Sequence, residues 1–381
     1  MKQRVAVCTV AQIKNEADIW YQRFQGMAFQ CLEAIVARTG VGFDMDKGIR
    51  TVVTVSDDVF DARTISDNAL TDAVGAHFRG EEKIAQDGIN ALGYAMACIL
   101  SGHDDLVLVI GHCKESQAQS RRQCTHLAFD PFYGRPVGLD YLSAAALQAR
   151  AYARKARLTE DMLAEVVVRA RQNGALNPFA RDNPPVTATE VAASAMAADP
   201  LRELHCYPTT DWAAGMLLCC GERAAEFTDR PVWLTGFGSC MDRYFLGDRD
   251  LAGCPALRRA AARAYERAGV TDPRAQIEVF ELNDAYAHQL PLWAEGVGLA
   301  AEGQGGRWIE GGGPDRHAVN RSGGMLNGNP IMLGGLARAV EAVVQLRREA
   351  GPRQVDGARR ALAHGTTGPA GQHHACLVLE R

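Results

Sequence analysis

Hydrophobic and polar positions follow two rhythms along this chain. Short runs of β-branched and aliphatic residues predict strands at Arg4–Val10, Thr51–Val55 and Asp105–Gly111. The last of these is apolar almost throughout, as in a parallel strand covered on both faces. Between them, apolar residues three and four apart predict helices over Trp20–Thr39 and Asp87–Leu100. In the second helix Ile89, Leu92, Met96 and Ile99 share one side, and Gly102 ends it. Helix, glycine and strand in this order indicate an α/β fold.

The same grammar returns later. Strands are expected at Val232–Phe237, Gln276–Leu282 and His374–Leu379, and a helix at Ile331–Arg348, with Leu333, Leu336, Val340, Val343, Val344 and Leu346 near helical spacing. The chain therefore reads as two α/β halves of similar order. Turn-forming segments at Asp130–Tyr133, Asn177–Phe179 and Asn183–Pro185, with helices at Ala144–Ala156 and Asp161–Arg171, lie between them. The expected division is 1–116 with 200–225 as the N-terminal half, 117–199 as an inserted loop region, and 226–381 as the C-terminal half. Such a region serves as a structural lid or contacts ligands.

Composition narrows the function. A length of 381 residues with 47% hydrophobic content supports two core domains or one large layered unit. A net charge of -4 argues against an electrostatic nucleic-acid binder. No apolar run of about 18 residues suggests a membrane span, and the first twenty residues gain charges too early for a secretory signal. Eleven cysteines are scattered without a CxxC pair, so neither a disulfide framework nor a metal site is expected. The expectation is a cytoplasmic protein with reduced thiols, any of which is a candidate nucleophile.

Three segments carry candidate chemistry. Asn320–Gly335 is a glycine-dense loop running into the 331–348 helix, with Pro330 read as standing just inside the helix start. Phe280–Ala287 places Asn283 and Asp284 after a strand, at the end of a parallel sheet where α/β sites lie, or as an N-cap for the next helix. Leu362–Gly371 reads as a glycine turn holding His364 before the last strand.

Together these segments resemble the thiolase superfamily over most of the chain. Asn283-Asp-Ala-Tyr-Ala287 is similar to the family's Asn-Glu-Ala-Phe-Ala motif, and Asn320–Gly335 to its Asn-x-x-Gly-Gly…Gly-His-Pro…Gly block. Asp211-Trp-Ala-Ala-Gly215 resembles the Asp-Gly-Ala-Ala segment, and Ile99–Gly111 the helix end and strand that follow the nucleophile. The sterol carrier protein-x and archaeal branches look most similar. The resemblance implies two βαβαβαββ halves layered α-β-α-β-α, and a coenzyme A thioester as substrate or ligand with no bound cofactor.

It also implies roles for single residues. The family's nucleophile is a cysteine at a helix N-terminus, and its position falls on Ala85, which has no thiol. Asp87 nearby suits a capping carboxylate or a chemical group. Asn329 stands where the family has a histidine that helps to form an oxyanion hole, and an amide still donates a hydrogen bond. The second cysteine falls at His364 or Gly365, and His364 would be a base in place of a thiol. Asn283 keeps the family's residue type. Gly328 and Gly368 supply loop backbone, and Tyr286 is a further candidate. Cys98 and Cys376 read as core residues, whereas Cys113 and Cys240 are placed to face a cavity.

Three functions follow from the resemblance. The first is a thiolase-like subunit of an acyl-CoA C–C bond-forming or -cleaving complex, lacking the acyl-cysteine step. It would be paired with an intact thiolase-like chain, with a small zinc-ribbon/OB-fold subunit as a further partner. The second is an aldolase or retro-aldolase acting non-covalently on a CoA thioester. The third is an acyltransferase with a relocated nucleophile. Phe129, Phe132, Tyr133 and Tyr141 would line a lipid or aromatic acyl pocket or simply pack. Arg121 and Arg122 would meet CoA phosphates or be solvated surface charge.

Overall fold

The structure is a computed structural model that describes residues 4–44, 47–57, 59–60, 67–328 and 330–381. The first half runs β1 (Val5–Gln12), α1 (Phe24–Thr39), β2 (Thr51–Val55), β3 (Gly80–Lys83), α2 (Gly88–Leu100) and β4 (Leu106–Lys114). An excursion follows: α3 (Arg121–His126), α4 (Tyr141–Ala156), α5 (Glu160–Ala175), α6 (Ala188–Ala193) and a small hairpin, β5 (Met196–Ala198) with β6 (Leu201–Arg202). The chain re-enters the sheet as β7 (Asp211–Cys220) and leaves through α7 (Ala224–Phe227). The second half comprises β8 (Val232–Met241), α8 (Pro255–Ala268), α9 (Pro273–Gln276), β9 (Val279–Glu281), α10 (Gln289–Gly296), α11 (Gly305–Glu310), α12 (Gly313–Arg316), α13 (Gly334–Leu346), β10 (Arg360–Thr367) and β11 (His373–Glu380).

Nine of the strands join in one mixed sheet ordered β3-β2-β4-β7-β1-β8-β11-β10-β9. Read outward from the centre, β1-β7-β4-β2 and β8-β11-β10-β9 are equivalent, with the same parallel and antiparallel pairings. The halves meet where Val5–Val7 pairs antiparallel with Val232–Leu234. Strand alternation sets the layers. Val107 and Val109 of β4 join Leu92 of α2 and Leu336 and Val340 of α13 in a central core, while Leu108 faces Met27 and Ile35 of α1. In the other half Ala361 and Ala363 face the central helices, and Leu362 faces outward to the cluster holding Leu257 and Ala264 of α8. The order is helix, half-sheet, helix pair, half-sheet, helix, as the resemblance implied.

Three details differ from the pattern-based reading. The expected glycine turn at 362–371 is mostly strand β10, because Ala361–Gly365 is buried on both faces. Pro330 precedes α13 rather than opening it. Met332 adopts a left-handed φ of 63°, and regular helix begins only at Gly334. Helix α8 was not anticipated. Its buried residues are mostly small, Ala256, Leu257, Ala260, Ala261 and Ala264, and its other face carries arginines.

The central helices begin against each other. Asp87 caps α2, its Oδ1 accepting from the Ile89 N–H at 2.9 Å, and its Oδ2 accepts from the Gly335 N–H of α13 at 2.8 Å. Burial raises its pKa to about 7, against the lowering effect of these N–H donors. Gly365 of β10 and Gly335 both press on this carboxylate, and a Cβ at either would overlap Asp87 Oδ1. Gly365→Ala or Gly335→Ala is therefore expected to destabilise by about 3 kcal/mol or more. Gly247→Ala, with open space around its Cβ position, should stay within ~0.5 kcal/mol of wild type. Urea denaturation of the three variants is the measurement.

Candidate active-site cleft

Segments from both the core and the excursion enclose a small cavity of about 60 Å³. Asn283 and Tyr286 reach it from beyond β9, Thr366, Thr367 and Gly368 from the end of β10, and Met332 from the approach to α13. Tyr141, the first residue of α4, and Tyr207, shortly before β7, come from the excursion.

The glycine-dense loop is strapped to β9 by its own polar side chains. Asn320 Oδ1 accepts from the Leu282 N–H at 2.6 Å and its Nδ2 donates to the Leu282 carbonyl at 3.1 Å, so one amide replaces a missing strand neighbour. Asp284 Oδ1 accepts from the Met325 N–H at 2.7 Å. Glu281 accepts from the Ser322 N–H at 3.1 Å and from its hydroxyl at 2.6 Å, with Arg338 at 3.5 Å. Burial raises Glu281 to about 7 and Asp284 to about 6, against these donors and Arg338. Neither Asn283 nor Asp284 caps α10, whose N-cap is His288.

Asn283 is held through its backbone. Its carbonyl accepts from Trp293 Nε1 at 2.8 Å, and its N–H donates to His364 Nδ1 at 3.3 Å. That leaves His364 Nε2 to donate to His374 Nδ1 at 3.0 Å. His364 faces the outer layer with Trp293, and burial lowers its pKa to about 3. Its neighbour Gly365 is the residue that faces the central helices.

The excursion side of the cleft is aromatic. The Tyr207 and Tyr286 rings meet edge to face at 5.6 Å, and the Arg121 guanidinium lies 4.2 Å from the Tyr207 ring centroid. Arg121 also pairs with Glu115 at 2.7 Å, and burial raises Glu115 to about 7 although Arg121 pulls it down. Arg122 pairs with Asp140 at 2.5 Å. The Tyr207 hydroxyl is buried without a hydrogen-bond partner, and burial holds the phenol well above its ordinary range, opposed by Arg121.

Of the residues singled out in the sequence, Asn283, Tyr286, Gly368 and Tyr141 line the cavity. Asp87 and His364 are buried beside it, Gly328 lies against Thr210 and Arg181, and Asn329 falls outside the described residues. Ala85 is exposed, two residues before the α2 cap. The Gly88 N–H donates to the Met332 carbonyl at 3.0 Å, which ties that helix start to the cleft wall. No cysteine is among the lining residues. Cys376 is a core residue, Cys98 packs at the edge of the central core, and Cys113 lies inside β4. Sequence reasoning missed Tyr207, Thr366 and Thr367. The signal available was their position, just before a strand and just before a glycine–proline turn. Among the described residues no group of three or more His, Cys, Asp or Glu could hold a metal ion, and no helix is long and apolar enough to cross a membrane. Phenol, amide and hydroxyl groups around a small cavity can hydrogen-bond a carbonyl or hydroxyl oxygen, and offer no thiol for acylation.

Known proteins resemble this chain in sequence and fold. The thiolase C-terminal domain-like family matches residues 238–381. An acetyl-CoA acetyltransferase from Methanothermobacter thermautotrophicus is 32% identical over 382 aligned residues, covering 97% of this chain and 98% of that protein. Sterol carrier protein 2 from Bos taurus is 31% identical over 216 residues, 54% of this chain and 39% of that longer protein. Among solved structures, the Ltp2-ChsH2(DUF35) aldolase superposes with a TM-score of 0.81 at 19% identity, covering 99% of this chain and 97% of that one. A monomeric SCP2-thiolase like protein type 1 from Mycobacterium smegmatis superposes with 0.72 at 17% identity, covering 99% and 76%.

Two outcomes follow from the cleft. Tyr207→Phe removes an unpartnered buried hydroxyl, so thermal and urea unfolding should show stability unchanged or raised by about 1 kcal/mol. His364 binds fewer protons folded than unfolded between its folded value of about 3 and its ordinary 6.5. Its contribution is therefore present above pH 6.5 and lost as pH falls, by up to ~1.4 kcal/mol per pH unit. The carboxyl groups of Asp87 and Glu281, raised to about 7, act in the opposite sense, losing stability as pH rises toward that value. Urea titrations from pH 7 to 4.5 should show a smaller acid loss in His364→Gln than in wild type.

Proposed function

Because the chain belongs to the thiolase superfamily, in its sterol carrier protein-x-like branch, we propose that it forms or cleaves a C–C bond in a CoA thioester without an acyl-cysteine intermediate. The observation that carries this reading is the cleft itself. Its lining brings together Asn283 and Tyr207, whose buried hydroxyl has no hydrogen-bond partner, and contains no cysteine, while alanine stands at position 85 before α2.

The chemistry this set suits is of the aldol type. In the cleavage direction, transfer of the β-hydroxyl proton to solvent water lets the Cα–Cβ electron pair pass to the thioester as an enolate. The β-carbon leaves as a carbonyl compound, and the enolate is then protonated at Cα. Tyr207, kept protonated by burial, and the Asn283 amide would donate to the oxygen on which charge develops. His364 contributes by holding the Asn283 backbone. The CoA thioester is substrate rather than resident cofactor, and the cytoplasm is the compartment that suits it.

A second reading concerns assembly. A cleft of about 60 Å³ is far below the roughly 300–1,000 Å³ of small-molecule sites. The nucleotide end of CoA would therefore lie on the outer surface or on a companion chain. This supports the chain as one subunit of a complex, with an intact thiolase-like chain or a small zinc-ribbon/OB-fold protein. The aldolase noted above is named as a pair with a DUF35 partner. The acyltransferase with a relocated nucleophile has no thiol in the cleft to support it.

Incubation with acetyl-CoA followed by intact-mass measurement should show no acetylated cysteine. A stable acyl-cysteine would overturn the proposal. With a β-hydroxyacyl-CoA, alone or with a co-purified partner, release of a carbonyl product should fall about 100-fold in kcat in Tyr207→Phe, with KM little changed. Equal rates in wild type and variant would remove Tyr207 from the reaction.

A further inference from the structure

A second concavity lies behind the cleft and is not used by the reaction above. It is an aromatic-walled pocket of about 250 Å³. Phe129 and Leu246 are its buried floor; Tyr133, Tyr244 and Phe245 are its exposed walls, with Tyr133 and Phe245 edge to face at 6.2 Å and Tyr244 and Phe245 at 5.1 Å. Tyr133 is 74% exposed and Phe245 45%. Large apolar groups gathered in one place and left open to water mark a binding site.

The pocket shares a wall with the cleft. Gly368, Ala370 and Gly371 line the cleft, while Pro369 and Gln372 of the same turn line the pocket. The turn is anchored from the far side, Arg249 Nη1 donating to the Pro369 carbonyl at 2.8 Å and Gln148 Nε2 to the Ala370 carbonyl at 2.9 Å. Phe129, Leu246 and Ala370 also belong to one apolar cluster, against which Tyr141 of the cleft packs. A packed apolar wall, this single turn and its cluster, thus separates the reacting groups from the pocket.

We propose that this pocket is the subsite for a bulky ring, aromatic or alicyclic, in the acyl part of the substrate. The assignment rests on the acyl-CoA reading of the cleft. Its size fits, because a protein cavity of about 150 Å³ accepts benzene, so 250 Å³ suits a two-ring system. Its walls fit as well, since edge-to-face aromatics receive a flat ring. Gln372 is the polar group at the shared wall, placed for a hydroxyl or keto substituent on the ring.

Calorimetry with 2-naphthoyl-CoA, hexanoyl-CoA, free CoA, free 2-naphthoate and free hexanoate tests this. Wild type should bind the naphthoyl ester about tenfold more tightly than the hexanoyl ester, as expected for the additional apolar area buried. In Tyr133→Ala and Phe245→Ala that advantage should fall to within about twofold, as should the affinity for free 2-naphthoate relative to hexanoate. Both side chains are open to solvent, and unchanged unfolding midpoints would show that the variants fold. Equal binding of the two esters and acids by wild type, or variants that keep the preference, would overturn the ring subsite. Sedimentation in which the same variants dissolve a dimer would overturn it too, by assigning the patch to a second copy of the chain. Failure of 2-naphthoyl-CoA to bind, with free 2-naphthoate binding retained, would instead overturn the acyl-CoA reading and with it the role of the pocket as an acyl subsite.

Discussion

One buried carboxylate joins the two halves of this protein. Asp87 accepts hydrogen bonds at the start of both central helices, from Ile89 and from Gly335. Such a group is stabilised where two helix N-termini leave unpaired N–H donors, and its removal from water is costly unless they are supplied. Glycine at 335 and 365 is the matching requirement, because any side chain at those positions would occupy the carboxylate's place. The adjoining close approach of Gly88 to Leu336, where an added Cβ would lie 2.5 Å from the Leu336 Cβ, belongs to the same junction.

The cleft inherits its geometry from that junction. With the helix starts locked, Met332 and the end of β10 have defined places. Asn320, Ser322 and Asp284 then tie the glycine-dense loop to β9. His364 and Trp293 grip the two backbone groups of Asn283. The polar residues around the cleft thus divide into those that hold the backbone and those, chiefly Tyr207 and the Asn283 amide, that remain available to a ligand.

Much of the fold was legible in the sequence. Strand β2 was read to its boundaries, and α2, β4, α13 and β11 to within a few residues, because strands buried on both faces and helices with a broad apolar stripe have unmistakable periods. Helix α8 escaped although its buried alanine face and its arginine face alternate at clear helical spacing. Strand β10 was mistaken for a turn because Gly365 looks like a breaker, whereas its glycine serves a close approach. Within the cleft, Asn283 and Tyr286 were visible through a motif next to a strand. Tyr207 was not, because it belongs to no local pattern and arrives from a loop distant in sequence.

The sequence by itself determined the α/β class, the similar order of the two halves and the alanine at position 85, since each is written in local periodicity or residue type. Only the tertiary structure decided which way His364 and Gly365 point. A strand places neighbouring side chains on opposite faces, and the register that chooses between them is set by β11 and the central helices. Tertiary structure alone also left the Tyr207 hydroxyl without a partner and set an aromatic pocket behind the cleft. Unpaired groups and enclosed volumes arise from what surrounds a residue, and those surroundings come from segments far apart along the chain.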